Sequence, residues 1–575
     1  DGVNSITRKL YEEQFKPSVE WGKAKYIWLG ADKVLDAFNF IFHENEHGLF
    51  QVHAYPFSGT TSTFIVECDE ESWLNAGLDR ASEAESLDYC RTVLSRHLGG
   101  ADLISNNSKW LSFPTLKTKR WHTGAEAGSV VLLGDAAHTA HFSIGAGTKL
   151  AMEDAIALAS AFDTHADTEA ALNAYELERK PVVETFQRAA AESQAYFETT
   201  RRYLGLPPMQ FAFQLLTRSG RITYDDLHFR DSRFGDQVDR LAVRSEATRL
   251  GAPGVQLAPP PLFAPLRLRD VALPNRAVVA LPADYPVPTP AAEKDVHLTV
   301  GAGLVMTGIC AVSEEGRITP ESPGLYAQEQ QAHWLAFVSA VHKAGGKAGI
   351  QIGHAGRRGS VRPRREGLDR ALKVGGWPLM SASALPYSTG SQVPREMDRS
   401  DMEHVRESFV QAARMADSAG FDLLQIHMAH GYLLASFLSP LTNLRGDEYG
   451  GSLEARSRYP LEVFSAVREI WPAEKPLSVA LSASDYARGG AGIDDAVAFA
   501  RLLKANGCDL VEVLAGQTTP QSEPPYSKGF LTPLSERLRN AVGIATMVGG
   551  YLTTSNEANT ILAAGRADLC VIAIS

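Results

Sequence analysis

From residue 276 onward the chain repeats one alternation. Short runs rich in β-formers (276–280, 303–307, 347–352, 421–426, 477–481, 509–514, 545–549 and 568–573) are separated by amphipathic stretches such as 326–345, 402–419, 455–471, 492–506 and 553–564. Near-continuous apolar runs joined through helices favour parallel pairing, because both faces of the sheet are then covered. Eight such units predict a (β/α)8 barrel over residues 262–575. The crossover between 285 and 302 is short for a helix, and the chain ends two residues past the eighth run, so the barrel's last helix is expected outside this sequence.

The alternation follows a break. In GAPGVQLAPPPLFAP (251–265) three successive prolines, Pro259 to Pro261, can continue neither a helix nor a central strand. We place a linker at 251–261, with the break near 258, and a first domain over 1–250; a chain of 575 residues is too long for one core. The net charge of −11 gives no general attraction to nucleic acid or to an anionic membrane. No apolar run is long enough to span a bilayer. Cys68, Cys90, Cys310, Cys508 and Cys570 lack a CxxC pair, which argues against a disulfide framework or a zinc centre and points to a reducing cytoplasm. No metal ligand set is expected.

In the first domain the stretch LLGDAAHTAHFSIGAGTKLAMEDA (132–155) carries the chemistry. An apolar strand is expected to run into Gly134-Asp135, placing a carboxylate at the mouth of an open α/β sheet, where it can accept hydrogen bonds from sugar-like hydroxyls. Gly145 and Gly147 let backbone approach a flat or phosphorylated ligand, and the helix predicted over 147–162 aims its positive start at negative charge, with Lys149 adding to it. The simpler alternative is that Asp135 caps the turn and the glycines satisfy its geometry. The alternating run LFQVHAYPF (49–57) reads as a strand with Gln51, His53 and Tyr55 on one face, each more readily solvent-facing than functional when taken singly.

Three motifs together, DGVNSITR (1–8), GDAAHTAHFSIGAGTKLAMEDA and YELERKP (175–181), resemble the FAD-dependent aromatic-ring hydroxylases of the p-hydroxybenzoate hydroxylase fold over about residues 1–200. That resemblance implies a Rossmann-like FAD domain with a sheet roofing the substrate, and FAD and NAD(P)H contacts at Asp1, Gly2, Arg8, Gly134 and Asp135, with Gly145 and Gly147 beside the isoalloxazine. It also implies a GxGxxG segment, which is absent here, so an N-terminal portion is expected outside this sequence. His141-Phe142 and Lys149 depart from the general pattern. HTAHFSIG with GTKLA is similar to the salicylyl-CoA 5-hydroxylase and 2-aminobenzoyl-CoA monooxygenase/reductase family, which acts on aromatic coenzyme A thioesters and carries a barrel behind the hydroxylase. His141 is read either as a donor to oxygen or substrate or as a satisfied core histidine, and His138 as a packing residue.

The barrel segment resembles the old yellow enzyme family through GRITPESPGLY, QIGHAGRR, the long motif from Ile426 to Val463 and GRADL. That resemblance implies a substrate-gripping pair at His427 and His430, a proton donor at Tyr432 and an FMN contact at Gln351. Leu281 to Ala283 replace its SPM, Ala480 replaces the arginine that faces FMN N1, and Ile574 falls where a phosphate-binding arginine belongs. These losses weigh against FMN in the barrel.

The implied function is an NAD(P)H- and O2-using hydroxylation of an aromatic acyl-CoA, such as salicylyl-CoA, through a C4a-hydroperoxyflavin. The alternatives are a bifunctional 2-aminobenzoyl-CoA monooxygenase/reductase with FMN in the barrel, and a non-catalytic flavin-binding scaffold. A homodimer is the usual assembly of such proteins. The basic runs KTKR (117–120) and RRGSVRPRREGLDR (357–370) are available for the thioester's phosphates, though both read as solvated surface.

Overall fold

The computed structural model describes residues 2–105, 107–125, 128–249, 258–281 and 301–573. Two units separate in it: Asp1–Gly205 with Leu215–Ile222, and Leu206–Gln214 with Thr223–Ser575.

In the first unit β1 (Lys25–Ala31), β2 (Asn39–Asn45), β3 (Gly48–Pro56), β4 (Ser62–Cys68) and β5 (Leu103–Ile104) pair antiparallel in the order β2-β3-β4-β1-β5. Alternation gives this sheet two unlike faces. Ile27, Phe50, Val52, Phe64 and Val66 pack against Cys90, Val93 and Leu94 of α1 (Glu83–Leu98), which opens on a Ser82/Glu85 capping box. Gln51, His53 and Tyr55 lie on the other face, opposite Glu67, Ile65 and Thr63. The solvent-facing expectation fails for Gln51 and His53, which are 2 % and 1 % exposed. The rings of Phe197 and Phe142 cover His53 at centroid distances of 4.5 and 5.4 Å.

The strand leading to Gly134, Gly128–Val131, pairs antiparallel with His122–Ala125 in a two-stranded ribbon. Val130 and Val131 are half-buried, so this strand is not the buried member of a parallel sheet that the sequence suggests. Its position is fixed from behind instead. α2 (Gly147–Thr164) and α3 (Thr168–Phe197) bury Leu150, Ala157, Ala171 and Tyr175 in one core with Leu132 and Trp121, and Tyr175 Oη donates to Leu132 O at 3.1 Å.

In the second unit β6 (Ala277–Ala280), β7 (Leu304–Ala311), β8 (Lys347–Gly353), β9 (Leu423–Met428), β10 (Leu477–Ser482), β11 (Leu510–Leu514), β12 (Ala545–Val548) and β13 (Leu569–Val571) close into a parallel barrel in chain order. Side chains alternate between its two surfaces. Ile350, Leu424, Ile426, Val479 and Val511 face the surrounding helices, while Leu304, Met306, Leu423, Leu510 and Met547 fill the lower interior. The helices over Tyr224–Arg230 and Ser232–Arg249 sit with the barrel, although the stronger sequence break follows them: Tyr224 N donates to Thr560 Oγ1 at 3.0 Å and Arg276 Nη2 to Ala242 O at 3.1 Å. The expected linker residues 251–257 and the short crossover fall outside the described residues, save for the crossover's last two positions.

All five cysteines are free and buried, and burial pushes the thiols of Cys90, Cys310 and Cys508 up to about 12. Among the described residues no helix is long and apolar enough to cross a membrane.

Candidate functional site

The two motifs at opposite ends of the hydroxylase-like sequence meet. Ser5 caps a short helix by accepting from Arg8 N at 3.1 Å, and the buried Arg8 guanidinium donates to Ala136 O at 2.7 Å and to Val3 O. Burial lowers the pKa of Arg8. Gly2 lies in the 3-10 turn that starts this segment, and Asp1 lies outside the described residues. Gly134 has φ +55°, and a Cβ there would stand 3.0 Å from Ala151 Cβ, so the turn needs glycine twice over. Asp135 beside it is exposed.

Sequence reasoning passed over what holds this turn. Asp154, fully buried on α2, accepts from Gly134 N at 3.0 Å and from Arg179 Nε at 3.0 Å, and its Oδ2 meets His138 Nε2 at 2.7 Å. Burial alone would raise its carboxyl, but the bonds from His138, Gly134 and Arg179 outweigh this and hold it below the usual range. A signal was present: Leu150, Asp154, Ala157 and Ala161 form the buried stripe of α2, so a carboxylate stands where an apolar residue is expected. His138 thus pairs with Asp154 besides packing on Trp121 at 5.0 Å.

At the start of α2 no side chain caps the first N–H groups and no acid lies in the first turn. Among the described residues nothing beyond the chain neighbours lies within 4 Å of a Cβ built at Gly145 or Gly147. An exposed carboxylate, open glycines and an unneutralised helix start fit the sugar and diphosphate of a dinucleotide. Lys149 is 58 % exposed, paired with Glu153 and 5.4 Å from the Phe186 ring centre.

His141 is 2 % exposed, and its Nδ1 lies 2.8 Å from Ser143 Oγ. A chain continues through Ser193 Oγ at 2.7 Å to Arg218 Nε at 2.8 Å, and Arg218 also donates to Ser143 O. Burial pushes His141 down to about 4 against the pull of Glu67, and pushes Arg218 down to about 10. On the roof, His53 Nε2 stands 3.2 Å from Glu67 Oε2; burial takes the histidine down to about 3 and the carboxyl up to about 7. Glu67 and Arg218 were not singled out in the sequence, the first because it sits in an apolar run, the second because it belongs to no motif.

In the barrel, His427 and His430 gather at the carboxyl end of β9 with ring centroids 5.5 Å apart, and Tyr432 lies 5.2 Å from His427. Burial keeps both imidazoles neutral, His430 at about 3, and raises the Tyr432 phenol. Gln351 is not with them. It sits one layer lower, where its amide bonds Gln425 and reaches Glu512 Oε2 at 3.4 Å, and Gln425 in turn donates to Ser478 Oγ at 3.1 Å. His427, Ala480 and Glu512 are register neighbours across β9, β10 and β11. Burial pushes the Glu512 carboxyl up to about 7. Ala480 and Glu512 thus place a methyl and a carboxyl beside His427 at this level of the barrel. Arg357 and Arg358 are buried rather than solvated: Arg357 Nη2 donates to Thr518 O at 2.7 Å, and Arg358 pairs with Asp369 at 2.8 Å and donates to His430 O at 2.7 Å. Lys117 does lie at the surface, 3.2 Å from Glu20. Pro282, Ala283 and Ile574 lie outside the described residues.

Residues 261–574 match the model of the NADH:flavin oxidoreductase / NADH oxidase family. The chain belongs to that family. Residues 1–190 match the FAD binding domain model, so an FAD-binding domain precedes the old yellow enzyme-type barrel of this flavin-dependent oxidoreductase. Among relatives, an NADPH dehydrogenase of Geobacillus sp. (strain WCH70) is 37 % identical over 320 residues, covering 54 % of this chain and 89 % of that protein. A salicyloyl-CoA 5-hydroxylase of Streptomyces sp is 39 % identical over 289 residues, 48 % of this chain; the match covers 53 % of that relative's length. The solved structure of morphinone reductase is 26 % identical with a TM-score of 0.45, covering 54 % of this chain and 85 % of that one.

Proposed function

We propose that the first unit hydroxylates an aromatic acyl-CoA thioester, salicyloyl-CoA being the leading candidate, with NAD(P)H and O2 as co-substrates. The observation that carries this reading is the docking of the Ser5–Arg8 segment on the Gly134-Asp135 turn, with the open start of α2 on the same loop. The 39 % identity to a salicyloyl-CoA 5-hydroxylase supports the substrate class. FAD, when bound, supplies hydride acceptance and oxygen activation. The chain supplies the rest. Asp135 accepts hydroxyl hydrogen bonds, the N–H groups of Gly147 and Thr148 face negative charge, and Arg8 and Asp154 hold the turn that presents them. Phe142, packed between Tyr26, Trp28 and His53, keeps water from the ring that is to be oxidised. His53 and His141, both neutral, can accept a proton or orient a donor without bringing charge into an apolar site.

The barrel is assigned a supporting or thioester-binding role, because Gln351, Gln425, Ser478 and Glu512 in its interior are spent on one another. A second reading, ring reduction with FMN, is favoured by the retained His427, His430 and Tyr432. Counting extracted flavin separates the two: FAD alone supports the first, FAD with equal FMN restores the second, and no flavin overturns both. Oxygen uptake with NADH and salicyloyl-CoA then tests the substrate; a hydroxylated product is expected, and hydrogen peroxide alone would overturn the assignment.

A further inference from the structure

Resting on the hydroxylase reading, we propose that Gln51, His53 and Glu67 recognise a hydrogen-bond-donating ring substituent, a hydroxyl or amino group, and that His53 takes the proton of a ring hydroxyl. The three side chains are neighbours on the roofing sheet: Gln51 and Glu67 are register partners across β3 and β4, and His53 is two residues along. All are 2 % exposed or less, yet among the described residues Gln51 Oε1, His53 Nδ1 and Glu67 Oε1 have no hydrogen-bond partner. Gln51 Nε2 donates to Phe197 O at 2.6 Å, which fixes the amide and leaves its oxygen as the free end. With Glu67 ionised, His53 carries its hydrogen on Nε2 toward Glu67 Oε2, and Nδ1 presents a bare lone pair.

Three buried acceptors side by side are completed by a ligand that brings O–H or N–H groups. A network kept only for packing closes on itself, as Gln351, Gln425 and Ser478 do in the barrel. The surroundings are aromatic. Phe40, Phe142 and Phe197 stand with centroids 5.2, 5.4 and 4.5 Å from that of His53. Arg218 lies over Phe40 and Phe197 at 5.2 and 4.9 Å, and among the described residues no carboxylate pairs with it, so its charge is available to a forming phenolate. In the step itself the ring O–H bond breaks and its electron pair stays on oxygen. The proton bonds to His53 Nδ1, and the Nε2 proton passes to Glu67 Oε2, leaving a neutral imidazole and a carboxylic acid; nothing is oxidised or reduced.

The test compares binding of salicyloyl-CoA and 2-methoxybenzoyl-CoA, whose ring is equally activated but carries no donor, by titration against the flavin absorbance of the FAD-loaded protein. Wild type is expected to prefer salicyloyl-CoA at least tenfold and to show the phenolate band of the bound ligand. His53→Gln and Glu67→Gln are each expected to lose that preference and the band while keeping FAD. Should His53→Gln fail to fold, Glu67→Gln, which preserves size and shape, decides alone. A folded, FAD-loaded variant with wild-type preference and band overturns the proposal. Wild type that takes up FAD but binds neither thioester overturns the hydroxylase reading itself.

Discussion

At the Gly134 turn and on the roofing sheet several polar groups end without a partner among the described residues, whereas one layer of the barrel interior closes on itself. Asp135, the first N–H groups of α2 and the free acceptors of Gln51, His53 and Glu67 have no side-chain partner among the described residues, whereas Gln351, Gln425 and Ser478, one layer below His427, bond one another and reach Glu512. In the barrel, Ala480 and Glu512 place a methyl and a carboxyl beside His427, where the old yellow enzyme resemblance implies a cation.

That contrast can be broken or sharpened by six substitutions. Asp154→Ala strands the buried Arg179 and His138 and unpins the Gly134 turn, so a loss of about 3 to 5 kcal/mol in urea unfolding, together with loss of bound FAD, is expected. In the barrel, Glu512→Gln is expected to stabilise. The folded carboxyl titrates near 7 against 4.5 in the free state, so the wild-type advantage is present below 4.5 and is lost as pH rises through about 7. The glutamine variant should therefore match wild type at pH 4 and exceed it by roughly 3 kcal/mol at pH 8, measured by unfolding at both pH values. Gly134→Ala forces a left-handed alanine at about 1 to 2 kcal/mol before its contact with Ala151 is counted. Gly145→Ala, also at positive φ but facing open space, should lose less stability and more FAD affinity. Lys149→Ala removes an exposed pair worth less than about 1 kcal/mol, leaving the unfolding midpoint nearly fixed. Tyr432→Phe should leave hydroxylation within twofold; a tenfold fall would put the barrel into the chemistry.

The barrel was legible because a parallel strand buried on both faces writes a largely apolar run, and each of the eight barrel strands overlaps one of the runs read from sequence. The FAD-type turn was legible because glycine, carboxylate and small helix residues occur together for reasons of backbone geometry. Partnership across space was not. Asp154 and Arg179 stood in quoted motifs without revealing that one bridges to the other. The arginine run from Arg357 reads as solvated, yet the loop folds its first two guanidinia inward onto carbonyl groups and Asp369. Glu67 was hidden by its neighbours, since a single carboxylate within STFIVEC changes the strand's pattern little.

The burial of every cysteine bears on how such a protein endures its own chemistry. An oxygen-activating site sheds hydrogen peroxide whenever activation and substrate attack fall out of step, and peroxide attacks thiolates rather than thiols. With Cys90, Cys310 and Cys508 held protonated far above neutral pH, and Cys68 and Cys570 shifted in the same direction, a leaking turnover meets no ready thiolate among the cysteines.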